Sequence, residues 1–104
     1  MATDMVILPK SIHNILERLT GQSRPEIALS LALKDLVRLR SDEAQTRIAQ
    51  FEKKYGMDFS EFETACKEGK ITNPFSYSVE KDDWEWEAAI TDRAALEEIS
   101  QWLV

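Results

Sequence analysis

The chain has one histidine, His13, and one cysteine, Cys66, and these are the first side chains to test for metal binding or nucleophilic catalysis. One residue of each type cannot supply the Cys and His ligands of a zinc site. No third residue is spaced to orient them as a nucleophile and its base, and the only glycines, Gly21, Gly56 and Gly69, follow predicted helices instead of forming a phosphate loop. Cys66 is predicted to be a small core hydrophobe and His13 a solvated helix residue. We expect no enzymatic activity and no cofactor.

Two tryptophans, Trp84 and Trp86, lie in an acidic stretch with Glu80, Asp82, Asp83, Glu85 and Glu87. These acids lack the ligand spacing and turn glycine of a calcium loop, so a solvated helix face is expected rather than a metal site. Helix positions two apart point about 200° away from each other, so both indoles cannot face one core. One indole is therefore expected to contact a protein partner. The alternatives are that both indoles fill the core of the small domain, with their segment locally extended, or that a strand or a second subunit covers either one. The predicted partner-binding residues are Trp84, Trp86, Asp82, Asp83, Glu85 and Glu87.

The composition indicates one small domain, or a short module with an appendage. Hydrophobic residues make up 43% of the 104 residues, which is too many for a disordered chain. The longest apolar runs, residues 5–8 and 88–90, are far shorter than the ~18 residues of a membrane span. Asp4 near the N-terminus is unlike the basic start of a signal peptide. A single cysteine favours a reducing cytoplasm.

The net charge of −6 is divided unevenly along the chain. Residues 1–40 hold six bases and four acids, giving +2, whereas residues 41–104 hold seven bases and fifteen acids, giving −8. Taken whole, the charge is unfavourable for binding nucleic acid. Counted separately for the two parts of the chain, the net charge suggests two functions, or one function and one solvated surface.

The N-terminal third predicts a strand followed by two helices. Thr3–Leu8 is a β-compatible run, and Lys10–Leu19 has apolar residues at helical spacing. Ser23 and Glu26 have the spacing of a capping box, and Pro25 between them suits the first turn of the second helix.

The second helix is predicted to be long. Its apolar stripe recurs in steps of three, four or eight through Leu29, Leu33, Leu36, Ala44, Ile48, Phe51 and Tyr55. Between residues 27 and 39 apolar side chains occupy the other faces as well, and a helix that is apolar nearly all round is buried nearly all round. In so short a chain, a second copy of the protein is the simplest way to bury these apolar side chains.

The C-terminal half predicts two more helices. Asp58 and Glu61 have capping-box spacing for a short helix. Phe75–Val79 alternates like a short strand or an extended arm, and Asp82 or Asp83 is expected to cap a last helix. The predicted fold is therefore mainly α, with a strand-helix-helix module over residues 1–40 and an acidic, mostly helical region over residues 41–104 that continues the second helix to about residue 55.

The strand-helix-helix order, with Leu8-Pro9 ending the strand and Gly21-x-Ser23-Arg24-x-Glu26 opening the second helix, resembles the ribbon-helix-helix family of dimeric DNA-binding proteins. The resemblance covers roughly residues 3–40. In that family two N-terminal strands pair as a ribbon that enters the major groove, and the helices form the dimer core. The resemblance implies DNA contacts through Thr3, Met5, Ile7, Ser23 and Arg24. It implies dimerisation through Val6, Leu8, Ile27, Leu31 and Leu33.

The residues at the ribbon positions differ in type from those that usually contact bases in that family. Only Thr3 offers a hydrogen-bonding side chain there, because Met5 and Ile7 offer no more than apolar contacts to thymine methyl groups. Asp4 is repelled by phosphate. The resemblance therefore implies the fold and the dimer more strongly than it implies sequence-specific DNA binding.

Ribbon-helix-helix proteins with an acidic C-terminal extension look like antitoxins of toxin–antitoxin pairs, and residues 52–62 and 80–89 are similar to small, mostly prokaryotic proteins of that kind. The resemblance implies a homodimeric, antitoxin-like regulator with operator DNA as a ligand. Its acidic half would neutralise a basic protein partner, such as a ribonuclease toxin. The alternative is a small dimeric helical protein-interaction module that binds no DNA.

Overall fold

The computed structural model describes residues 7–103, which form four α-helices. They are α1 (Lys10–Thr20), α2 (Pro25–Tyr55), α3 (Phe59–Lys67) and α4 (Tyr77–Trp102). The long second helix predicted from the apolar stripe is confirmed as one continuous element of 31 residues. The predicted module boundary at residue 40 falls inside this helix.

The strand-helix-helix architecture predicted for the N-terminal third was wrong. Ile7 and Leu8, the part of the predicted strand that lies within the described residues, have no strand conformation, and residues 7–103 contain no β-strand. A strand satisfies its backbone hydrogen bonds only against another strand, and the described part of the chain offers none. The mainly α prediction is confirmed.

Several helix ends follow from local signals in the sequence. Gly21 and Gly56 end α1 and α2 in the left-handed conformation, with φ of 74° and 68°, as their positions predicted. The predicted capping box at the start of α3 also forms. The Glu61 N–H donates to Asp58 Oδ1 at 2.8 Å, and the Asp58 N–H donates to Glu61 Oε1 at 3.2 Å.

The start of α2 differs from the prediction. The N-cap residue is Arg24, not Ser23, and no side chain caps the first turn. The Glu26 carboxylate instead accepts a hydrogen bond from Arg24 Nε at 3.1 Å. Pro25 occupies the first helical position, where its missing N–H removes one donor that would need a cap.

The helix α4 begins at Tyr77, five residues before the first of the aspartates predicted to cap it. Ser76 is the N-cap, and its Oγ accepts a hydrogen bond from the Val79 N–H at 3.3 Å. The strand or arm predicted over Phe75–Val79 was therefore wrong. The alternation of Ser and Tyr in this segment belongs to a helix cap and a first turn.

The core lies where α3 and the first half of α4 meet the C-terminal half of α2. Its two largest fully buried side chains are Phe62 of α3 and Trp86 of α4. Phe51 stacks on Trp86 with ring centroids 5.5 Å apart, and the Tyr55 ring lies 4.5 Å from that of Phe62. Aromatic pairs of this kind contribute about 0.5–1.5 kcal/mol beyond their burial, so this end of the molecule carries most of the stability.

The helices α2 and α4 run antiparallel. Lys54 near the end of α2 contacts Asp82 near the start of α4, while Arg93 further along α4 donates to Gln45 at 2.8 Å. Leu103 lies beside residues 34 and 37 of α2. The first turns of α2 therefore project past the end of α4, and α1 packs against α2.

The molecule is elongated, with extents of 58 × 30 × 19 Å and a radius of gyration of 20.0 Å. A compact domain of this length has a radius of gyration of about 13 Å. The helix α1 has no buried residue, and Ala28 is the only buried residue of the described chain before residue 40. The hairpin formed by α1 and the first half of α2 therefore has no core of its own.

Candidate protein-binding surface

The two tryptophans of the acidic stretch lie on opposite sides of α4. Trp86 is fully buried against Phe51 and Phe62, whereas 62% of Trp84 is exposed. Their spacing of two predicted that both could not face one core, and α4 bears this out. Trp86 has no exposed surface to offer a partner, so its predicted partner contact is corrected to a core position.

The outward face of α4 carries Trp84 together with Glu80, Asp83 and Glu87. These positions recur in steps of three and four, so they lie on one side of the helix. With Glu63 of α3 they form a group of four carboxylates around one exposed indole. We refer to these five side chains, together with the exposed Phe75, as the Trp84 surface.

A shallow cavity of about 300 Å³ lies beside Trp84. Cys66 of α3 and Val79 of α4 line it, and Pro74 and Phe75 contribute the wall made by the α3–α4 turn. Asn73 in this turn has a positive φ of 50°, a conformation that asparagine tolerates better than most residues. The turn leaves Phe75 86% exposed beside the acidic face.

The carboxylates of the Trp84 surface form no ion pair within residues 7–103, although Lys67 lines the same cavity. Burial raises the pKa of Asp83, and the nearby charges of Glu63, Glu87 and Glu80 raise it further. A positive group arriving here would relieve this repulsion without first displacing an internal partner.

The other predicted acids face α2 and hold the two helices together. Asp82 is buried and accepts hydrogen bonds from Lys54 and Tyr55. Burial works against ionisation of Asp82, but these two donors outweigh it and lower the pKa of this carboxyl. Glu85 pairs with Arg47 of α2. Asp82 and Glu85 therefore act within the protein, unlike Asp83 and Glu87.

The free cysteine, Cys66, is part of the cavity wall. Burial, together with the charges of Asp83 and Glu63, raises the pKa of the Cys66 thiol. The thiol is therefore protonated at neutral pH, and it packs against the aromatic core, as a small hydrophobe would.

Within residues 7–103, the residues that the family resemblance assigned to DNA and to the dimer form no β-ribbon. Ile7 is 83% exposed, and Ser23 and Arg24 are exposed at the start of α2. Thr3, Met5 and Val6 lie outside the described residues. Of the residues assigned to the dimer, Leu33 is exposed and the others within residues 7–103 are half-buried, namely Leu8, Ile27 and Leu31.

Sequence reasoning missed Phe75 and Glu63 as members of the Trp84 surface. The spacing of Glu80, Asp83 and Glu87 was a usable signal for a common helix face. The position of Glu63 depended on how α3 packs against α4, and Phe75 was assigned to a strand.

Within residues 7–103, no group of three or more His, Cys, Asp or Glu side chains is arranged to hold a metal ion. None of the helices in this part of the chain combines the length and the hydropathy that crossing a membrane would require.

Comparisons with protein-family models, with curated proteins and with solved structures give no match to this chain.

Proposed function

We propose that this protein binds a basic protein partner through the Trp84 surface. The observation that carries the proposal is an indole left 62% exposed among four carboxylates that have no internal ion pair in the described structure. Trp is costly to leave in water and is enriched at the centres of protein interfaces.

The chemistry of the Trp84 surface favours Lys and Arg side chains. Their charges would pair with Asp83 and its neighbours, and opposite charge accelerates the encounter. A guanidinium or ammonium over the face of Trp84 adds a cation–π attraction, worth about 0.5–1 kcal/mol when exposed and about 2 kcal/mol when desolvated. Phe75 adds apolar area beside it.

An antitoxin-like role is one case of this proposal, with a basic toxin as the partner. The ribbon-helix-helix route to operator DNA is not part of it, because residues 7–103 contain no β-strand. A helical protein-interaction module without DNA binding is the broader class to which the proposal belongs.

A peptide titration tests the proposal. The probe is a fluorescently labelled helical peptide rich in Lys and Arg, with a matched peptide in which Glu replaces these residues. We expect the basic peptide alone to bind, more weakly as salt rises, and Trp84→Ala to weaken binding about tenfold or more. Trp102→Ala is the matched control, since Trp102 is 80% exposed at the other end of α4. Equal binding by the two variants would contradict the proposal.

A further inference from the structure

The first half of α2 presents an apolar ridge. Leu29, Leu33 and Leu36 recur in steps of four and three, so they lie on one face of the helix. Leu33 and Leu36 are 47% and 48% exposed, although α1 and α4 both contact α2. We call these three leucines the α2 ridge.

The same face of α2 leads into a groove. Arg40, Glu43 and Arg47 continue the spacing of the α2 ridge, and all three line a groove of about 480 Å³ between α2 and α4. The apolar lining of the groove consists of Ala44, Ala88, Ala89, Ala95, Leu96 and Ile99. We call it the α2–α4 groove. One helix face therefore carries exposed leucines at one end and borders a groove at the other.

We infer that the α2 ridge of each chain occupies the α2–α4 groove of a second copy, in a two-fold symmetric dimer with antiparallel α2 helices. An isologous interface needs one patch that is complementary to itself. A ridge and a groove on the same face meet this condition, because a two-fold axis between them places each ridge over the other chain's groove.

The exposed area fits a second copy. A compact monomer of this 12.0 kDa mass exposes about 6,000 Å², whereas the chain exposes 8089 Å². The excess is about 2,000 Å², and a stable interface buries about 800 Å² from each partner. In this arrangement the second copy would bury part of the hairpin formed by α1 and the first half of α2, which has no core of its own.

The charges favour this arrangement over ridge against ridge. Residues 7–40 hold six bases and three acids, giving +3, and residues 41–103 hold seven bases and fifteen acids, giving −8. Seating the ridge in the groove places the basic hairpin of one copy against the acidic half of the other. The charged lining of the groove itself, Arg40 and Arg47 with Glu43, Glu85 and Asp92, sums to −1. Ridge against ridge would bring two basic hairpins together.

Solution mass tests the dimer. Light scattering behind size exclusion should give about twice the 12.0 kDa chain mass for the native protein. Leu33→Glu combined with Leu36→Glu should halve that mass with helical circular dichroism retained, since both side chains are exposed within one chain. Phe75→Glu, an equally drastic change on the Trp84 surface, should leave the mass unchanged. A monomeric native protein, or a dimer indifferent to the ridge substitutions, would overturn the inference.

Cross-linking tests independently whether the α2 ridge of one copy lies in the α2–α4 groove of the other. It gives the answer even if the ridge substitutions prevent folding. In a Cys66→Ser chain, Leu33→Cys together with Ala95→Cys should give covalent dimers with a short bis-maleimide. Leu33→Cys alone should not. If the axis lies midway between residues 33 and 44, the two copies of residue 33 are about 16 Å apart along the helices. Efficient cross-linking by Leu33→Cys alone would show ridge against ridge and overturn the inference.

Discussion

Two tryptophans two residues apart have different surroundings in this protein. Trp86 contacts the rings of Phe51, Tyr55, Phe59 and Phe62 and has no exposed surface. Its Nε1–H finds no acceptor among the described residues. Trp84 lies on the opposite side of the helix, surrounded by charge. The proposed binding role of Trp84 is therefore separable from the stability that Trp86 provides.

Alanine substitutions should show that the two tryptophans contribute very differently to stability. Trp86→Ala should lower the free energy of unfolding by about 3–5 kcal/mol, because it removes a large side chain from a packed core. Trp84→Ala should change it by no more than about 0.5 kcal/mol, as exposed sites usually do. Urea unfolding followed by circular dichroism measures both. Similar losses for the two variants would show that Trp84 is structural and would contradict its assignment to a binding surface.

The spacing of the two indoles predicted that one would face outward, but it could not say which one. That choice depends on which side of α4 meets α2, and the packing of Trp86 against Phe51 decides it. The contact joins residues 35 positions apart in sequence. Local sequence patterns do not contain that information.

At the scale of elements, two adjacent aspartates on α4 have opposite effects. Asp82 links α4 to α2 through the hydrogen bonds that it accepts from Lys54 and Tyr55. These hydrogen bonds lower the pKa of Asp82 despite its burial. A depressed pKa means that its contribution to stability is present above the unfolded pKa of about 3.9 and is lost as pH falls through the folded pKa. Asp83 has a raised pKa, because of burial and the charges of its acidic neighbours. Its ionisation therefore lowers stability as pH rises through the folded pKa.

Asparagine substitutions should reveal that ionised Asp82 and ionised Asp83 have opposite effects on the free energy of unfolding. At pH 7 we expect Asp82→Asn to lower the free energy of unfolding and Asp83→Asn to raise it. Both differences should shrink at about pH 3, because Asp83 is then mostly protonated and the stabilising contribution of ionised Asp82 is lost as pH falls from its unfolded pKa through its folded pKa. Urea titrations at the two pH values provide the measurement. The same sign for both variants at pH 7 would refute the different roles of the two carboxylates.

The helices were predictable where local chemistry determines them. Gly21, Gly56 and the Asp58–Glu61 capping box each act within a few residues, and each appears where the sequence placed it. The strand predicted over Thr3–Leu8 needed a distant partner that residues 7–103 do not provide. At Ser76 a helix cap was mistaken for strand alternation, because serine and tyrosine suit both patterns over so few residues.

At the scale of the whole molecule, the two inferred surfaces lie at different places and serve different purposes. The α2 ridge and the α2–α4 groove would join two copies, and the Trp84 surface would bind the partner. A dimer would then carry two such surfaces, and a bivalent basic partner would gain affinity without any new contact. The acidic half would then serve twice, since its α2–α4 groove would receive the basic hairpin of the other copy and its Trp84 surface would receive the basic partner.

The most direct test of the central claim uses the indole N–H signals of the three tryptophans in a ¹H–¹⁵N correlation spectrum. On adding the basic peptide, we expect the Trp84 signal to shift progressively with peptide concentration. The Trp102 signal should stay in place, and the buried Trp86 signal should move little. Shifts at Trp102 with Trp84 unmoved, or no shift at any peptide concentration, would contradict the assignment of a basic protein partner to the Trp84 surface.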